Sequence, residues 1–276
     1  MGIISLQFHR DKTMRVNHRT IGRALGAACA LAMFSGTVAA APLVFAGLDN
    51  RDLSGGGSHA NTDAAQAAFV AAALAEGGIA VQNFDTLALG TPPANFAVGS
   101  LTASLTSTAT DHTTISTGPT APQTFAVSGT QFLDTLTDRN TTFFSIAFSE
   151  AVSGFGFHIT DASDWFGNVN PSTNLVVTLK YATGNVTRKV FDGTAASSMV
   201  SGNLGFWGVV DNVDPLLGFS ISNAPGSPQR DAIGIDNLSI ALVKPAAAVP
   251  VPTSVVLMLS ALGGMVSLGR RRRTIA

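Results

Sequence analysis

Hydrophobic and polar residues alternate with a period of two through most of the second half of the chain. Phe144, Ile146 and Phe148 alternate with more polar residues, and a second alternation at residues 155–159 follows a turn at residues 149–154. This period places every second side chain on one face of a strand. The pattern therefore predicts two strands joined as a hairpin.

Further strands are predicted from the same pattern. A second hairpin is expected around the turn Thr183-Gly184-Asn185, and a closing strand ends near Leu242. The alternating positions are Leu175, Val177, Leu179 and Tyr181; Val186, Arg188 and Val190; Phe206, Gly208 and Val210; Leu217, Phe219 and Ile221; and Ile233, Ile235, Leu238, Ile240 and Leu242.

The first half of the chain is less regular. A strand is predicted from Ile79 to Asp85, and short strands are predicted at residues 124–127 and 131–136. Residues 101–117 are rich in serine and threonine, which is compatible with exposed strands and with loops. The glycine-rich residues 49–59 are typical of a loop.

One helix interrupts this pattern. Residues 64–76 are dominated by alanine, Asn61, Thr62 or Asp63 can cap the start, and Gly77-Gly78 ends the run. Many short strands with one helix predict a mainly β fold, an antiparallel β-sandwich that is jelly-roll-like and has one short N-terminal helix. An N-terminal signal helix and a C-terminal apolar helix are expected outside it.

The first 40 residues have the organisation of an export signal. Three arginines precede an apolar run at residues 24–34, and the small residues Val38-Ala39-Ala40 follow it. Signal peptidase recognises small residues at such positions, so we expect cleavage after Ala40, with Met14 as an alternative start. A retained N-terminal anchor is the other interpretation.

The last 28 residues contain three parts in order. These parts are Val249, Pro250, Val251 and Pro252, then an apolar run at residues 255–268, then Arg270, Arg271, Arg272 and Arg273. As a helix, the apolar run spans about 21 Å, less than the roughly 30 Å hydrocarbon core of a bilayer. The arginines favour the cytoplasmic side, so the body is expected to face outward.

This order resembles the tails of the PEP-CTERM family of bacterial sorting signals, most closely the variant written Val-Pro-Leu-Pro-Ala. Val251 stands where the commonest form has Glu, and Thr253 stands where the variant has Ala. The resemblance implies that an exosortase-like membrane protease recognises the motif. The alternative interpretation is an ordinary tail anchor, because any short apolar helix followed by arginines would have the same membrane orientation. The expected organisation is a body at residues 41–243, a linker and motif at 244–252, and a transmembrane tail at 253–276.

Charge is unevenly distributed along the chain. Residues 41–248 contain 7 basic and 16 acidic residues, a net charge of −9. An acidic body without a basic cluster argues against nucleic acid as a partner. The single cysteine, Cys29, lies in the predicted signal, so the mature body would have no disulfide and no cysteine-based metal site.

The sequence contains none of the common motifs of serine hydrolases, zinc proteases or nucleotide-binding proteins. His158 alternates with Phe157 and Ile159, so we expect it on the solvent-facing side of its strand. A polysaccharide-active enzyme that uses Asp161 and Asp164 is a third hypothesis, since glycosidases pair two carboxylates across a cleft. We expect a protein that is not an enzyme.

Two aspartates are candidate metal ligands. Phe84-Asp85 and Gly234-Ile235-Asp236-Asn237-Leu238 resemble features of bodies that precede such tails, and the outline is similar to carbohydrate-binding sandwiches. That resemblance implies a structural Ca²⁺ held by Asp85 and Asp236, where the first and last strands lie side by side. In the alternative interpretation, both carboxylates accept hydrogen bonds from turn amides.

A segment with aromatic and amide side chains is the candidate glycan contact. Residues 161–174 include Asp164, Trp165 and Asn168. An aromatic ring can stack on the apolar face of a sugar while polar neighbours bind its hydroxyls. Alternatively, Trp165 covers the end of the sandwich.

Together, these patterns predict an exported cell-surface or extracellular-matrix protein that is not an enzyme. Its C terminus would anchor it in the membrane until the tail is processed. The alternative function is a secreted, calcium-supported carbohydrate-binding module with extracellular polysaccharide as its partner.

Overall fold

A computed structural model of the 276-residue chain describes residues 41–49, 59–90, 92–107, 112–118, 123–137, 142–162, 175–191, 202–224 and 231–244. These residues form two antiparallel sheets and one helix. The predicted mainly β sandwich with a single short helix is confirmed. The predicted signal and tail helices lie outside the described residues.

The thirteen described strands and the helix have the following bounds. They are β1 (Leu43–Asp49), α1 (Ala60–Glu76), β2 (Ile79–Gln82), β3 (Asn95–Val98), β4 (Leu101–Ser107), β5 (His112–Ser116), β6 (Phe132–Thr137), β7 (Thr142–Val152), β8 (Gly154–Thr160), β9 (Leu175–Tyr181), β10 (Gly184–Lys189), β11 (Leu204–Val210), β12 (Leu216–Asn223) and β13 (Asp231–Ala241).

The strands divide into two sheets. Sheet 1 has the order β1-β11-β8-β13-β6-β5, with β2 also paired to β13, and sheet 2 has the order β10-β9-β12-β7-β4-β3. The predicted hairpin of β9 and β10 is confirmed, with Leu179 opposite Val186. The predicted hairpin of β7 and β8 is wrong, because β7 belongs to sheet 2 and β8 to sheet 1. Ser153 lies between them and donates to the carbonyls of Ala241 and Leu242 at 3.0 and 2.9 Å.

Several strand boundaries in the first half also differ from the predictions. Residues 101–117, for which strand and loop were both open, contain β4 and β5, whereas residues 124–127 are not a strand. β1 and β3 were not predicted. Both are edge strands of their sheets, so each has a strand neighbour on one side only.

The core between the sheets is aromatic. The Phe219 ring of sheet 2 stacks on Phe155 of sheet 1 at 4.1 Å and lies 5.7 Å from Phe157. All three side chains are fully buried. Burial of one such ring contributes about 1.5–3 kcal/mol, so this stack is a main contact between the sheets.

Helix α1 packs on the outer face of sheet 1. Its Phe69 ring lies 5.5 Å from Phe206 in β11 and 6.0 Å from Phe45 in β1. A β-carbon at Gly208 would come within 2.8 Å of the Phe69 ring. The glycine therefore permits the close approach of the helix to the sheet.

A residue of β1 caps the start of α1. The Asp49 carboxylate accepts the backbone N–H groups of Thr62 at 2.8 Å and Asn61 at 3.3 Å. Burial acts to raise the pKa of Asp49, but these hydrogen bonds together lower it. The helix begins at Ala60, so the prediction that Asn61, Thr62 or Asp63 is the cap is wrong. The predicted end is confirmed, with Gly77 at φ 152° following the last residue.

Candidate functional site

Three groups of predicted site residues lie outside the described part of the chain. They are the sorting motif Val249, Pro250, Val251 and Pro252, the basic cluster Arg270, Arg271, Arg272 and Arg273, and the glycan candidates Asp164, Trp165 and Asn168. The candidate metal ligands Asp85 and Asp236 are described.

Asp236 of β13 holds one half of a short loop. Its Oδ2 accepts the backbone N–H groups of Val127 and Ser128, both at 2.8 Å. Its Oδ1 accepts the N–H of Asn237 at 2.6 Å. The Ser128 hydroxyl donates to Asn237 Oδ1 at 2.6 Å, which adds a side-chain bond to the same half of the loop.

Asp85 holds the other half. Its Oδ1 accepts the N–H groups of Thr130 and Gln131 at 2.8 and 2.9 Å, and its Oδ2 accepts the side-chain amide of Asn83 at 2.8 Å. Residues 127–131 are therefore bound by two carboxylates from distant parts of the sequence. We call this segment the clamped loop.

The two carboxylates have opposite pKa shifts. Hydrogen bonds from Thr130 and Gln131 lower the pKa of Asp85, because they stabilise its charged form. Burial raises the pKa of Asp236 to about 6 although three N–H groups bind it, and the charge of Asp85 adds to the rise. Asp236 is thus the more readily protonated of the pair.

These contacts fit the hydrogen-bonding interpretation of Asp85 and Asp236. Each of the four carboxylate oxygens accepts an N–H group, and the positive end of an N–H dipole repels a cation. Ca²⁺ also needs six to eight oxygen ligands. The described residues contain no group of three or more His, Cys, Asp or Glu side chains that could hold a metal. The pair in this arrangement does not fit a calcium site, and calcium binding stays a prediction.

His158 lies on the outer face of sheet 1, opposite its core-facing neighbours, as the alternation predicts. The expectation that this face meets solvent is wrong, because His158 is only 3% exposed and its ring lies edge-on to Phe206 at 5.4 Å. Burial lowers the pKa of His158 to about 4, while the charge of Asp63 raises it and that of His59 lowers it. His158 is therefore neutral at pH 7.

One end of the sandwich is braced where β8 ends and β11 begins. Asp161 Oδ1 accepts the N–H of Gly202 at 2.7 Å, and the Asn203 side chain bonds both the N–H and the carbonyl of Ala162, at 3.1 and 2.9 Å. The Asp161 carboxylate, one of the two acids in the enzyme hypothesis, thus takes part in a structural contact. In the sequence, the segment with the glycan candidates follows Ala162.

The outer face of sheet 2 contains a row of hydroxyl side chains that the sequence analysis missed. Strand register aligns five of them across five neighbouring strands: Thr187, Thr178, Ser220, Ser145 and Thr106. All five are exposed or half-buried. We call this set the hydroxyl row. Serine or threonine at alternate strand positions is its only sequence signal, and the alignment depends on strand pairing.

Comparison with known proteins found no relative of this chain. The chain matches no family model, no curated protein and no solved structure. Within the described ranges, no helix combines the length and apolar character needed to cross a membrane.

Proposed function

We propose that this chain is an exported cell-surface or extracellular-matrix protein, sorted by its C-terminal tail, and that its β-sandwich body is not an enzyme. The observation that carries the proposal is the position of the fold, in the sequence, between the two predicted targeting segments. Among the described strands, the first begins at Leu43, three residues after Ala40, and the last ends at Ala241, eight residues before Val249.

Both ends of the body are secured within the sandwich. β1 pairs with β11 along its whole length, and β13 lies between β8 and β6 inside sheet 1. Removal of the predicted signal and tail would therefore take away no described strand. This supports a body that persists as a folded unit after processing at both ends.

The tail supplies the expected route to the surface. Its apolar run is a short membrane anchor, and the four arginines favour the orientation with the body outside. Signal peptidase acting after Ala40 and an exosortase-like membrane protease acting at Val249-Pro250-Val251-Pro252 are the proposed processing partners. The bilayer is a partner only until the tail is removed.

Charged groups in the described body support a structural role. Asp49 caps α1, Asp85 and Asp236 hold the clamped loop, and Asp161 braces one end of the sandwich. His158 is buried, and its pKa of about 4 leaves it uncharged at pH 7. The use of these groups in the fold is the basis for proposing a body without catalysis.

Mass spectrometry of the protein recovered from a bacterial host that contains an exosortase-like protease tests this proposal. We expect an N terminus at Ala41 and a C terminus at or next to residues 249–252. The double variant Pro250→Ala/Pro252→Ala should retain the tail, whereas Pro245→Ala in the linker should be processed normally. Recovery of the chain in the cytosol with residues 270–273 intact would contradict the proposal.

A further inference from the structure

We propose that the end of the body from which the chain continues toward the tail is a docking surface for the lipid bilayer that the tail enters. Six exposed apolar side chains form this surface, which we call the apolar end: Leu43, Val44, Leu74, Val213, Leu217 and Val243. The inference deepens the proposed function by naming a second contact with the membrane, and it rests on that function for the anchor.

Strand register places the two ends of the described body on one side of sheet 1. Leu43, Val210, Gly154 and Ala241 are partners in one row across β1, β11, β8 and β13. Lys244 follows three residues after Ala241. The start of the first described strand and the exit toward the predicted tail therefore lie at the same end of the sheet.

Further elements reach the same end. Helix α1 ends there, since the N–H of Leu242 donates to the carbonyl of Gly78 at 3.0 Å. Residues 211–215 connect β11 of sheet 1 to β12 of sheet 2, and the Asn212 side chain donates to Glu76 of α1 at 3.4 Å. The apolar end is thus built from the start of β1, the end of α1, this loop, the start of β12 and the residues after β13.

Exposed apolar residues are concentrated at this end of the body. Nine large apolar side chains of the described residues are exposed, and only Val81, Leu89 and Val186 lie outside the apolar end. Isolated exposed apolar residues are normal on a protein surface, whereas a group of them marks an interaction site. The grouping of the other six therefore points to a partner with an apolar surface.

Acidic side chains beside the apolar end fix its loop. Asp211 Oδ1 accepts the N–H groups of Val213 and Asp214, both at 3.0 Å, and Asp214 Oδ2 accepts the Thr183 hydroxyl at 2.7 Å. These hydrogen bonds hold the loop that presents Val213. Acidic groups do not attract anionic headgroups, so the contact is assigned to apolar side chains that enter the interfacial layer of the bilayer.

The predicted tail keeps this end close to the bilayer. Residues 245–254 separate Lys244 from the apolar run, and such a segment reaches at most about 36 Å. As a helix, the run is about 9 Å shorter than the hydrocarbon core, a mismatch that draws flanking residues toward the bilayer. A tether of this length makes even a weak contact with lipid intramolecular in effect, which favours the bilayer over a second copy of the chain.

Quenching of a fluorescent dye by nitroxide-labelled lipid tests the proposal. The full chain with Cys29→Ser and one new labelled cysteine is reconstituted in phosphatidylcholine vesicles that contain the nitroxide lipid. The dye is placed at Val213→Cys or at Leu89→Cys, positions whose side chains are 51% and 53% exposed. Leu89 is remote from the apolar end, because the next residue, Gly90, donates its N–H to Ile115 of β5, at the edge of sheet 1 opposite β1. We expect quenching to be at least about threefold stronger at Val213 than at Leu89.

A charge at a second position of the apolar end supplies the matched variant. Leu74→Glu introduces a carboxylate at a side chain that is 58% exposed, and Leu89→Glu makes the same change at one that is 53% exposed. We expect Leu74→Glu to reduce the quenching at Val213 by at least about half, because a carboxylate resists entry into apolar lipid. Leu89→Glu should leave it unchanged. Thermal melting of each variant checks that the fold is retained.

Each other result would overturn the assignment. Equal quenching at the two dye positions, or quenching at Val213 that Leu74→Glu does not reduce, would show that the apolar end makes no apolar contact with lipid. A blue-shifted dye at Val213 that the nitroxide lipid does not quench, and that depends on the ratio of protein to lipid, would assign the surface to a second copy of the chain. In these cases the chain still sediments with the vesicles and the tail anchor stands, whereas a chain that stays in the supernatant would overturn both proposals.

Discussion

Asp85 and Asp236 hold the same five-residue loop from two positions that are 151 residues apart in the sequence. Asp85 accepts the N–H groups of Thr130 and Gln131, and Asp236 accepts those of Val127 and Ser128. Asp85 and Asp236, the predicted calcium ligands, thus both bind the backbone of residues 127–131.

The centre of the clamped loop should not tolerate a side chain. Gly129 has φ 62°, and a β-carbon there would overlap the Asp85 carboxylate. Gly90 has a similar φ of 78° but no atom within 4 Å of an added β-carbon. We expect Gly129→Ala to lower the free energy of unfolding by about 1–3 kcal/mol more than Gly90→Ala, because only the first displaces Asp85. Urea denaturation measures both, and equal losses would show that Asp85 moves aside without cost.

Calcium should have no effect on the stability of the body. A ligand that binds only the folded state at 100 times its dissociation constant adds about 2.7 kcal/mol. Because N–H groups occupy the Asp85 and Asp236 oxygens, we expect the melting temperature to be the same in millimolar CaCl₂ and in excess EGTA. A rise in calcium that Asp236→Asn abolishes would instead establish the calcium site and support the carbohydrate-binding alternative.

His158 and Asp236 are cross-strand neighbours whose titrations should oppose each other. The folded pKa of His158 is about 4, below its usual 6.5, so its contribution to stability is present above pH 6.5 and lost as the pH falls toward 4. The folded pKa of Asp236 is about 6, above its usual 3.8, so its contribution is present below pH 3.8 and lost as the pH rises through 6. Between pH 4 and 6 the two effects offset one another.

Variants that lack one of the two groups should separate the opposing pH dependences of His158 and Asp236. At about 1.4 kcal/mol per pKa unit, the free energy of unfolding of Asp236→Asn should rise by roughly 3 kcal/mol, relative to wild type, from pH 4 to 6.5. That of His158→Phe should fall by a similar amount over the same range. Denaturant titrations at several pH values measure both slopes. Parallel profiles for wild type and the two variants would disprove the opposition.

Phe219 should be the most sensitive position of the inter-sheet stack. It contacts Phe155 and Phe157, and it is fully buried. We expect Phe219→Ala to cost about 3–5 kcal/mol through lost burial and a residual cavity. Leu217 in the same strand is 41% exposed, so Leu217→Ala is a matched control with a much smaller expected loss. A similar stability of the two variants, measured by thermal and urea unfolding, would contradict this view of the core.

Local pattern was sufficient for most of the secondary structure. The alternation of hydrophobic and polar residues identified β7, β8, β9 and β10, and the alanine-rich run that ends at Gly77-Gly78 identified α1. Both signals depend only on residues that are close in the sequence. The alternation also placed His158 on the face opposite Phe157. The edge strand β1 was not predicted because its apolar residues do not alternate clearly, and β3 was not predicted because it has only four residues.

Contacts between distant residues decided what remained. Asp49 caps a helix that begins eleven residues later, β7 and β8 separate into different sheets, and α1 covers the face on which His158 lies. The hydroxyl row exists only because register aligns five strands. Such features depend on which strands pair and which face is covered, and these are properties of the packed chain, whereas periodicity reports only on near neighbours.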